Sequence, residues 1–105
     1  MTSRKDKVLQ YFLNEIRNRL GKELSHIILF GSRARGDQAA QSDYDCLVVL
    51  REPSSEINDI IDEVAGEVLY MYGAVVSAFV VSEQKVGEHM QSPFLMNALR
   101  EGVEL

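Results

Sequence analysis

Hydrophobic residues recur along this chain at helical spacing in three segments. In the first segment they lie four positions apart, in the series that starts at Val8 and ends at Leu20, and this period predicts an amphipathic helix. Serine and proline mark the start of the two later segments, and a glycine follows all three, as expected at helix ends. The predicted helices are Ser3 to Leu20, ended by Gly21; Pro53 to Tyr72, ended by Gly73; and Pro93 to about Arg100, ended by Gly102.

Short apolar runs between these helices predict three strands, which are His26 to Phe30, Tyr44 to Leu50 and Val75 to Ser82. The second run does not alternate with polar residues toward its end, so we expect a central strand that is covered on both faces. Residues 83–91 are ambiguous and fit one or two helical turns. The order predicts an α/β (α+β) fold, with one small mixed sheet of three or more strands packed with helices.

Length and composition limit the classes of protein that fit. The chain has 105 residues, which predicts a single domain over residues 1–105. Its single cysteine, Cys46, excludes an intrachain disulfide and favours a cytoplasmic setting. No apolar stretch approaches the length of a membrane span, and the N-terminus lacks the apolar run of a signal peptide.

Charge is distributed unevenly along the chain. Residues 1–52 hold nine basic and seven acidic side chains, whereas residues 53–105 hold two basic and nine acidic ones. This balance argues against a general nucleic-acid binder, whose affinity rests on a basic surface. The acids of the helix after Pro53 form either a solvated face or a docking surface for a basic partner. Leu9 and Leu13 widen the apolar stripe of the first helix, and they serve either the core or an oligomer contact.

The residues that could bind a ligand or take part in a reaction lie at the ends of two predicted strands. Gly31 lets the backbone approach a ligand closely, and Ser32 starts a predicted short helix whose free N–H groups suit a phosphate. Asp43 and Asp45 lie two positions apart at the start of the next strand, so both carboxylates point to one face. The two negatively charged carboxylates repel each other unless a cation lies between them. Mg²⁺ suits this position because it prefers carboxylate and phosphate oxygens. The pattern predicts a metal–nucleotide site.

Other phosphate and metal motifs do not fit this stretch. The chain has no Gly-Lys-Ser/Thr of a P-loop and no G-x-G-x-x-G. An EF-hand is excluded because an apolar run follows Asp45, where further oxygen ligands would be required. Arg33 and Arg35 add positive charge beside the phosphate position, but they fit a solvated role or pairing with Asp37 equally well.

The residues Gly31-Ser32-Arg33-Ala34-Arg35-Gly36 and Ser42-Asp43-Tyr44-Asp45 together resemble the signature of the DNA-polymerase-β-like nucleotidyltransferase superfamily. The whole chain is similar to the minimal nucleotidyltransferase branch, and the resemblance covers about Ile27 to Val81. It implies a polymerase-β palm-like fold and transfer of AMP from ATP to a hydroxyl. Proteins of this branch are commonly encoded beside a HEPN toxin, a helical ribonuclease, and act as its antitoxin. The resemblance therefore implies a tyrosine of that toxin as acceptor.

The same resemblance assigns roles to individual residues. Gly31 and Ser32 would hold the triphosphate, with Arg33 and Arg35 as candidate phosphate contacts. Asp43 and Asp45 would bind two Mg²⁺ ions, one that orients the triphosphate and one that activates the attacking hydroxyl.

One position departs from the family pattern. Active members use a third carboxylate on the next strand, on the same face as the pair, and here Ser77 stands where that acid is expected. Glu83 is six residues further on, which is about 20 Å along a regular strand. Serine is a poor metal ligand and a weak base, so the second metal ion and the general base of the family stay open, and the pair is expected to hold Mg²⁺ with ATP.

Three functions stay open at this point. The first is an enzyme that transfers AMP to a partner protein. The second is a catalytically weak or inactive antitoxin that neutralises its partner by binding. The third, transfer to a small molecule such as an aminoglycoside, is disfavoured because such enzymes usually add a helical domain that 105 residues do not provide.

Overall fold

The computed structural model describes residues 6–31, 43–88 and 93–105, and within them it holds one four-stranded mixed sheet and four α-helices. The elements in chain order are α1 Lys7–Leu20, β1 Leu24–Phe30, β2 Tyr44–Leu50, α2 Ser55–Tyr72, β3 Val76–Ser82, α3 Glu83–Glu88, α4 Pro93–Glu101 and β4 Val103–Glu104. The predicted mixed α/β architecture is confirmed. The short helix predicted from Ser32 lies outside the described residues.

The strands are arranged in the order β3-β2-β1-β4. β1 pairs antiparallel with β2, which continues through α2 into the parallel strand β3. β2 is therefore a central strand, and every residue of it except Asp45 is buried, as its apolar run predicts. β4 was not predicted, because two residues that pair with Ile28 and Leu29 are too few to carry a pattern.

Two apolar layers cover the sheet. Helices α1 and α2 pack on one face, through Phe12, Ile16, Val64 and other buried residues. Leu95 and Ala98 of α4 pack on the opposite face, against three residues of β1 and β2 (Ile28, Leu47 and Val49). The sheet is thus enclosed by helices on both sides, which explains why β2 lacks alternation.

Capping residues determine where the helices begin and end, and most of these boundaries agree with the prediction. Ser54 caps α2 by accepting a hydrogen bond from Ile57 N at 3.2 Å, and Gly73 ends it with a φ of 65°. Helix α1 begins later than Ser3, the residue at which the sequence predicts its start. Asp6 has extended backbone, and its side chain caps the helix by accepting a hydrogen bond from Leu9 N at 3.0 Å. The first helical residue is therefore Lys7.

Burial decides between the alternatives for the first helix. Leu9 and Leu13 expose only 1% and 7% of their surface, so they belong to the core and an oligomer contact through them is ruled out. The predicted stripe of α2 is confirmed, with Ile61, Val64 and Val68 buried; Ile57 and Ile60 are partly buried beside it. Within the described ranges, no helix combines the length and apolar character that crossing a membrane requires.

Candidate active site

The two aspartates lie at the start of the central strand. Side chains of β2 alternate between faces, and Leu47 and Val49 pack under α4, so Asp45 points to that same face. Asp45 is half-buried, whereas Asp43 is exposed just before the strand. The predicted pair thus sits at one end of the sheet, where a ligand can reach it from solvent.

Tyr44 holds the two aspartates in place from the opposite face. It is 5% exposed, and its hydroxyl donates to Asp6 Oδ2 at 2.8 Å. Its backbone N–H donates to Val75 O at 2.9 Å, which ties this end of β2 to the residue before β3. The backbone around Asp43 and Asp45 is therefore fixed by bonds to α1 and to the neighbouring strand.

Gly31 adjoins the carboxylate of Asp45. Gly31 has a φ of 80°, a conformation that other residues adopt at a cost, and a Cβ added there would stand 2.5 Å from Asp45 Oδ2. The sequence predicts that this glycine lets a ligand approach closely; in the structure the group that approaches it is the Asp45 side chain. The space at Gly31 is thus part of what positions the carboxylate.

The electrostatics of the pair favour a cation. Burial raises the pKa of Asp45, and the negative charge of Asp43 raises it further. The ionised carboxylates therefore repel each other, and a bound cation removes that cost. This donor set suits Mg²⁺, which binds through one or two carboxylates together with phosphate oxygens.

Ser77 lies directly opposite Asp45 in the register of β2 and β3, so the two side chains share a face. The structure thus brings Ser77 beside Asp45, and its assignment as the position of the family's third carboxylate stays a prediction. Across residues 6–31, 43–88 and 93–105, no cluster of three or more acidic, histidine or cysteine side chains could hold a metal. The residues present fit one ion held by the aspartate pair.

Two aromatic rings stand beside the carboxylates and were not singled out from the sequence. Phe30 pairs with Asp45 across β1 and β2, and its ring lies 5.7 Å from the ring of Phe79 on β3. Phe79 follows Ser77 by two positions and is 39% exposed. Period two from Ser77 would have indicated that this ring shares the face of the site. The pair forms an apolar wall next to Asp45.

The remaining candidates divide into two groups. Ser32, Arg33 and Arg35 lie outside the described residues, so their predicted phosphate contacts stay predictions. Cys46 is fully buried on the face opposite Asp45, and burial raises the pKa of its thiol to about 12. Cys46 is therefore a core residue.

Comparison with known proteins finds relatives that match most of this chain. The relative named "Putative protein adenylyltransferase MJ0604", of Methanocaldococcus jannaschii, is 33% identical over 98 residues, which cover 92% of this chain and 93% of the relative. A second protein of that organism, "Putative protein adenylyltransferase MJ1305", is 30% identical over 97 residues, covering 90% of this chain and 66% of its own length.

A solved structure shares the fold at lower identity. The "toxin-antitoxin with AMP-PNP" crystal structure superposes with a TM-score of 0.63 and 18% identity, over 89% of this chain and 68% of that one. The model of the family described as "Nucleotidyltransferase domain" matches residues 9–99. This chain belongs to the nucleotidyltransferase domain family.

Proposed function

We propose that this protein is a protein adenylyltransferase that transfers AMP from Mg–ATP to a hydroxyl of a toxin partner and thereby acts as its antitoxin. The observation that carries the proposal is the carboxylate pair Asp43 and Asp45, fixed at a strand end against the Gly31 turn. The relatives named as adenylyltransferases of proteins support the reaction class. The shared fold with a toxin–antitoxin structure supports the antitoxin role.

Asp43 and Asp45 would hold one Mg²⁺ ion shared with the triphosphate of ATP. When bound, the ion neutralises charge on the triphosphate and on the leaving pyrophosphate. Gly31 keeps the Asp45 carboxylate at the turn, and Ser32, Arg33 and Arg35 are the proposed phosphate contacts. Phe30 and Phe79 form the apolar wall beside this carboxylate.

The reaction is a displacement at the α-phosphorus. The acceptor oxygen forms a bond to that phosphorus while the bond to the bridging oxygen of the β-phosphate breaks, and pyrophosphate leaves. The acceptor hydroxyl gives up its proton in the process. Because Ser77 is a weak base, that proton goes to water or to a group of the partner, and we expect slow transfer by this chain alone.

We propose a tyrosine of a HEPN-family toxin as the acceptor, because the resemblance of the motif implies it. A tyrosine hydroxyl has an ordinary pKa near 10, so it loses its proton more readily than an aliphatic hydroxyl does. This suits a site in which position 77 no longer provides a carboxylate base.

The second candidate is an antitoxin that neutralises its partner by binding alone. The specific observation in its favour is Ser77, which stands opposite Asp45 without a carboxylate. The two candidates differ in what Asp43→Asn does in cells. Loss of protection from the toxin supports transfer, whereas full protection by a folded Asp43→Asn protein supports neutralisation by binding.

The direct test is label transfer from α-labelled ATP with Mg²⁺ to the product of the neighbouring gene. Wild-type protein should label the partner, and Asp43→Asn and Asp45→Asn should not. Glu52→Gln is the matched control, since Glu52 is an exposed acid just beyond the opposite end of β2. Label that persists in both aspartate variants would overturn the assignment of the site.

A further inference from the structure

Phe79 is an exposed aromatic residue on the face of the sheet to which Asp45 points. It follows Ser77 by two positions on β3, and Ser77 stands directly opposite Asp45. Side chains two positions apart on a strand share a face, so the ring, the serine and the carboxylate belong to one surface. Phe79 is 39% exposed, whereas its neighbour Leu47 on β2 is fully buried under α4. The aromatic residue thus lies at the border between the core and the solvent side of the site.

The ring of Phe79 leans across β2 toward the carboxylate. Its centroid lies 5.7 Å from that of Phe30 on β1, although β2 separates the two strands. Strands two apart in a sheet are about 10 Å from each other, so both rings extend over β2 to come this close. Phe30 pairs with Asp45 and Phe79 pairs with Leu47, so the rings meet beside these two side chains. Contact with Phe30 therefore holds Phe79 at the edge of the site.

The strand order gives the site two unlike sides. Gly31 follows β1, and Asp45 Oδ2 lies only 2.5 Å from the Cβ position of this glycine. β3, with Ser77 and Phe79, lies on the other side of β2. Under the proposed function, the triphosphate is held at the turn that begins with Gly31, which is on the β1 side. The triphosphate and the aromatic ring thus lie on opposite sides of Asp45.

The geometry of the displacement determines the side from which the acceptor enters. The attacking oxygen and the leaving oxygen are in line through the α-phosphorus. The acceptor oxygen forms its bond to phosphorus as the bond to the bridging oxygen breaks, and the hydroxyl proton goes to water or to a group of the partner. With pyrophosphate leaving toward Gly31, the acceptor enters from the β3 side, over Ser77 and Phe79.

We infer that Phe79 binds the ring of the acceptor tyrosine and thereby selects an aromatic hydroxyl over an aliphatic one. Two aromatic rings in offset or edge-to-face contact gain about twofold to tenfold in affinity beyond the effect of their buried area. Serine and threonine carry no ring for this contact. Phe30 is a positioning residue, because it holds the ring of Phe79 over β2. The inference rests on the proposed function, since the side of approach depends on where the triphosphate binds.

The test compares Phe79→Leu with wild type in AMP transfer from α-labelled Mg–ATP to the product of the neighbouring gene. Phe79→Leu should raise KM for that protein about threefold to tenfold, as loss of one aromatic pair does, and leave the calorimetric affinity for Mg–ATP unchanged. Phe79→Tyr keeps the ring and should restore the wild-type KM. Val81→Ala is the matched control, because Val81 shares the face of Phe79 but pairs with Val49, further from Asp45.

Mass spectrometry of the labelled partner identifies the acceptor residue and gives a second readout. When the labelled tyrosine is replaced by serine, wild type and Phe79→Leu should transfer AMP to it at the same reduced rate. The two substitutions are then not additive, because each removes one ring of the same pair. A loss of rate that is equal for both partner proteins would overturn the inference, since it marks a purely structural role of Phe79.

Further outcomes separate this inference from the proposed function. Transfer by wild type with an unchanged KM in Phe79→Leu supports the proposed function and overturns the inference, as does AMP found on a serine or threonine. A rise in the Kd for Mg–ATP in Phe79→Leu also overturns the inference, by assigning the ring to the base of the nucleotide.

Absence of AMP transfer by wild type overturns the proposed function. Binding of the partner, measured with Mg²⁺ and an ATP analogue that cannot release pyrophosphate, then decides the inference. Weaker binding by Phe79→Leu that Phe79→Tyr restores supports an aromatic contact with the partner at this site. Unchanged binding in Phe79→Leu, or no binding by wild type, overturns it.

Discussion

Gly31 and Asp45 are in such close contact that the turn after β1 cannot accept a side chain without moving the carboxylate. The Cβ of an alanine at position 31 would stand 2.5 Å from Asp45 Oδ2. The same glycine has a positive φ of 80°, so two independent constraints meet at one residue of the site. Substitutions of Gly31 and of a control glycine should therefore separate an effect on protein stability from an effect on nucleotide binding.

Gly31→Ala should destabilise the protein by about 1–3 kcal/mol, from the strained backbone and the displaced carboxylate together. It should also abolish the rise in Tm that Mg–ATP gives the wild type, because Asp45 is moved. Gly73→Ala is the matched control: Gly73 has a φ of 65° but nothing within 4 Å of its Cβ position. That variant should lose about 1 kcal/mol and keep the response to Mg–ATP. An equal response in both variants would contradict the proposed role of Gly31.

Asp45→Asn should make the ligand-free protein more stable at neutral pH while it abolishes transfer. Burial and Asp43 raise the pKa of Asp45, so its ionised form is disfavoured in the folded state. The stabilising contribution of the protonated form is present at low pH and is lost as the pH rises through the raised pKa. The stability difference between Asp45→Asn and wild type should therefore be small in acid and increase toward neutral pH in urea titrations. A variant less stable than wild type at pH 7 would refute this account of the carboxylate pair.

Ser77→Asp should accelerate transfer, since it places a carboxylate opposite Asp45 on the shared face. A positioned base contributes on the order of 10²-fold or more, so we expect a gain of at least about tenfold in the initial rate. The variant should be less stable than wild type without Mg²⁺, because a third negative charge joins Asp43 and Asp45. Ser77→Asn, which adds similar bulk without charge, should give no gain in rate. Equal rates in the two variants would show that position 77 does not limit the reaction.

Glu67→Gln should weaken the packing of α1 against α2. Glu67 accepts hydrogen bonds from the Tyr11 hydroxyl at 2.7 Å and from Arg19 at 3.0 Å, and these bonds lower its pKa. A lowered carboxyl pKa stabilises the fold at pH values above the ordinary pKa, and the effect is lost as pH falls through the lowered value. The variant should be less stable than wild type at pH 7, and the two should converge in acid. Glu52→Gln should match wild type throughout, and a pH-independent difference for Glu67→Gln would argue against the ionic role.

The hydroxyl of Tyr11 provides a second readout of the same contact. Its hydrogen bond to Glu67 raises the pKa of Tyr11 to about 12. In Glu67→Gln the phenol should ionise at lower pH than in wild type, as followed by absorbance during alkaline titration.

The sequence could predict the elements that carry strong periodic signals. β2 is buried on both faces, as its unbroken apolar run indicated, and the caps at Ser54 and Gly73 lie where the start and stop signals put them. β4 could not be predicted, because its two residues are fixed by pairing with β1 rather than by their own pattern. The start of α1 was placed too early, since the capping contact of Asp6 depends on geometry that spacing does not reveal.

Local patterns predict the spacing of the candidate site residues along the chain, but not which of them are in contact. Period two predicts that Asp43 and Asp45 share a face, and in the structure β3 brings Ser77 opposite Asp45. The close approach of Gly31 to Asp45 depends on the antiparallel pairing of Phe30 with Asp45, which no local pattern encodes. The contact of Phe30 with Phe79 spans three strands, so it required the strand order β3-β2-β1.

We propose above all that the carboxylate pair at the start of β2 transfers AMP to a partner protein. Intact-mass analysis of the neighbouring-gene product, after incubation with this protein and Mg–ATP, tests it most directly. We predict a gain of one or more AMP units with wild-type protein and with Glu52→Gln, and no gain with Asp45→Asn. A partner that binds the wild-type protein yet keeps its unmodified mass would contradict the claim, as would a gain of AMP that persists with Asp45→Asn.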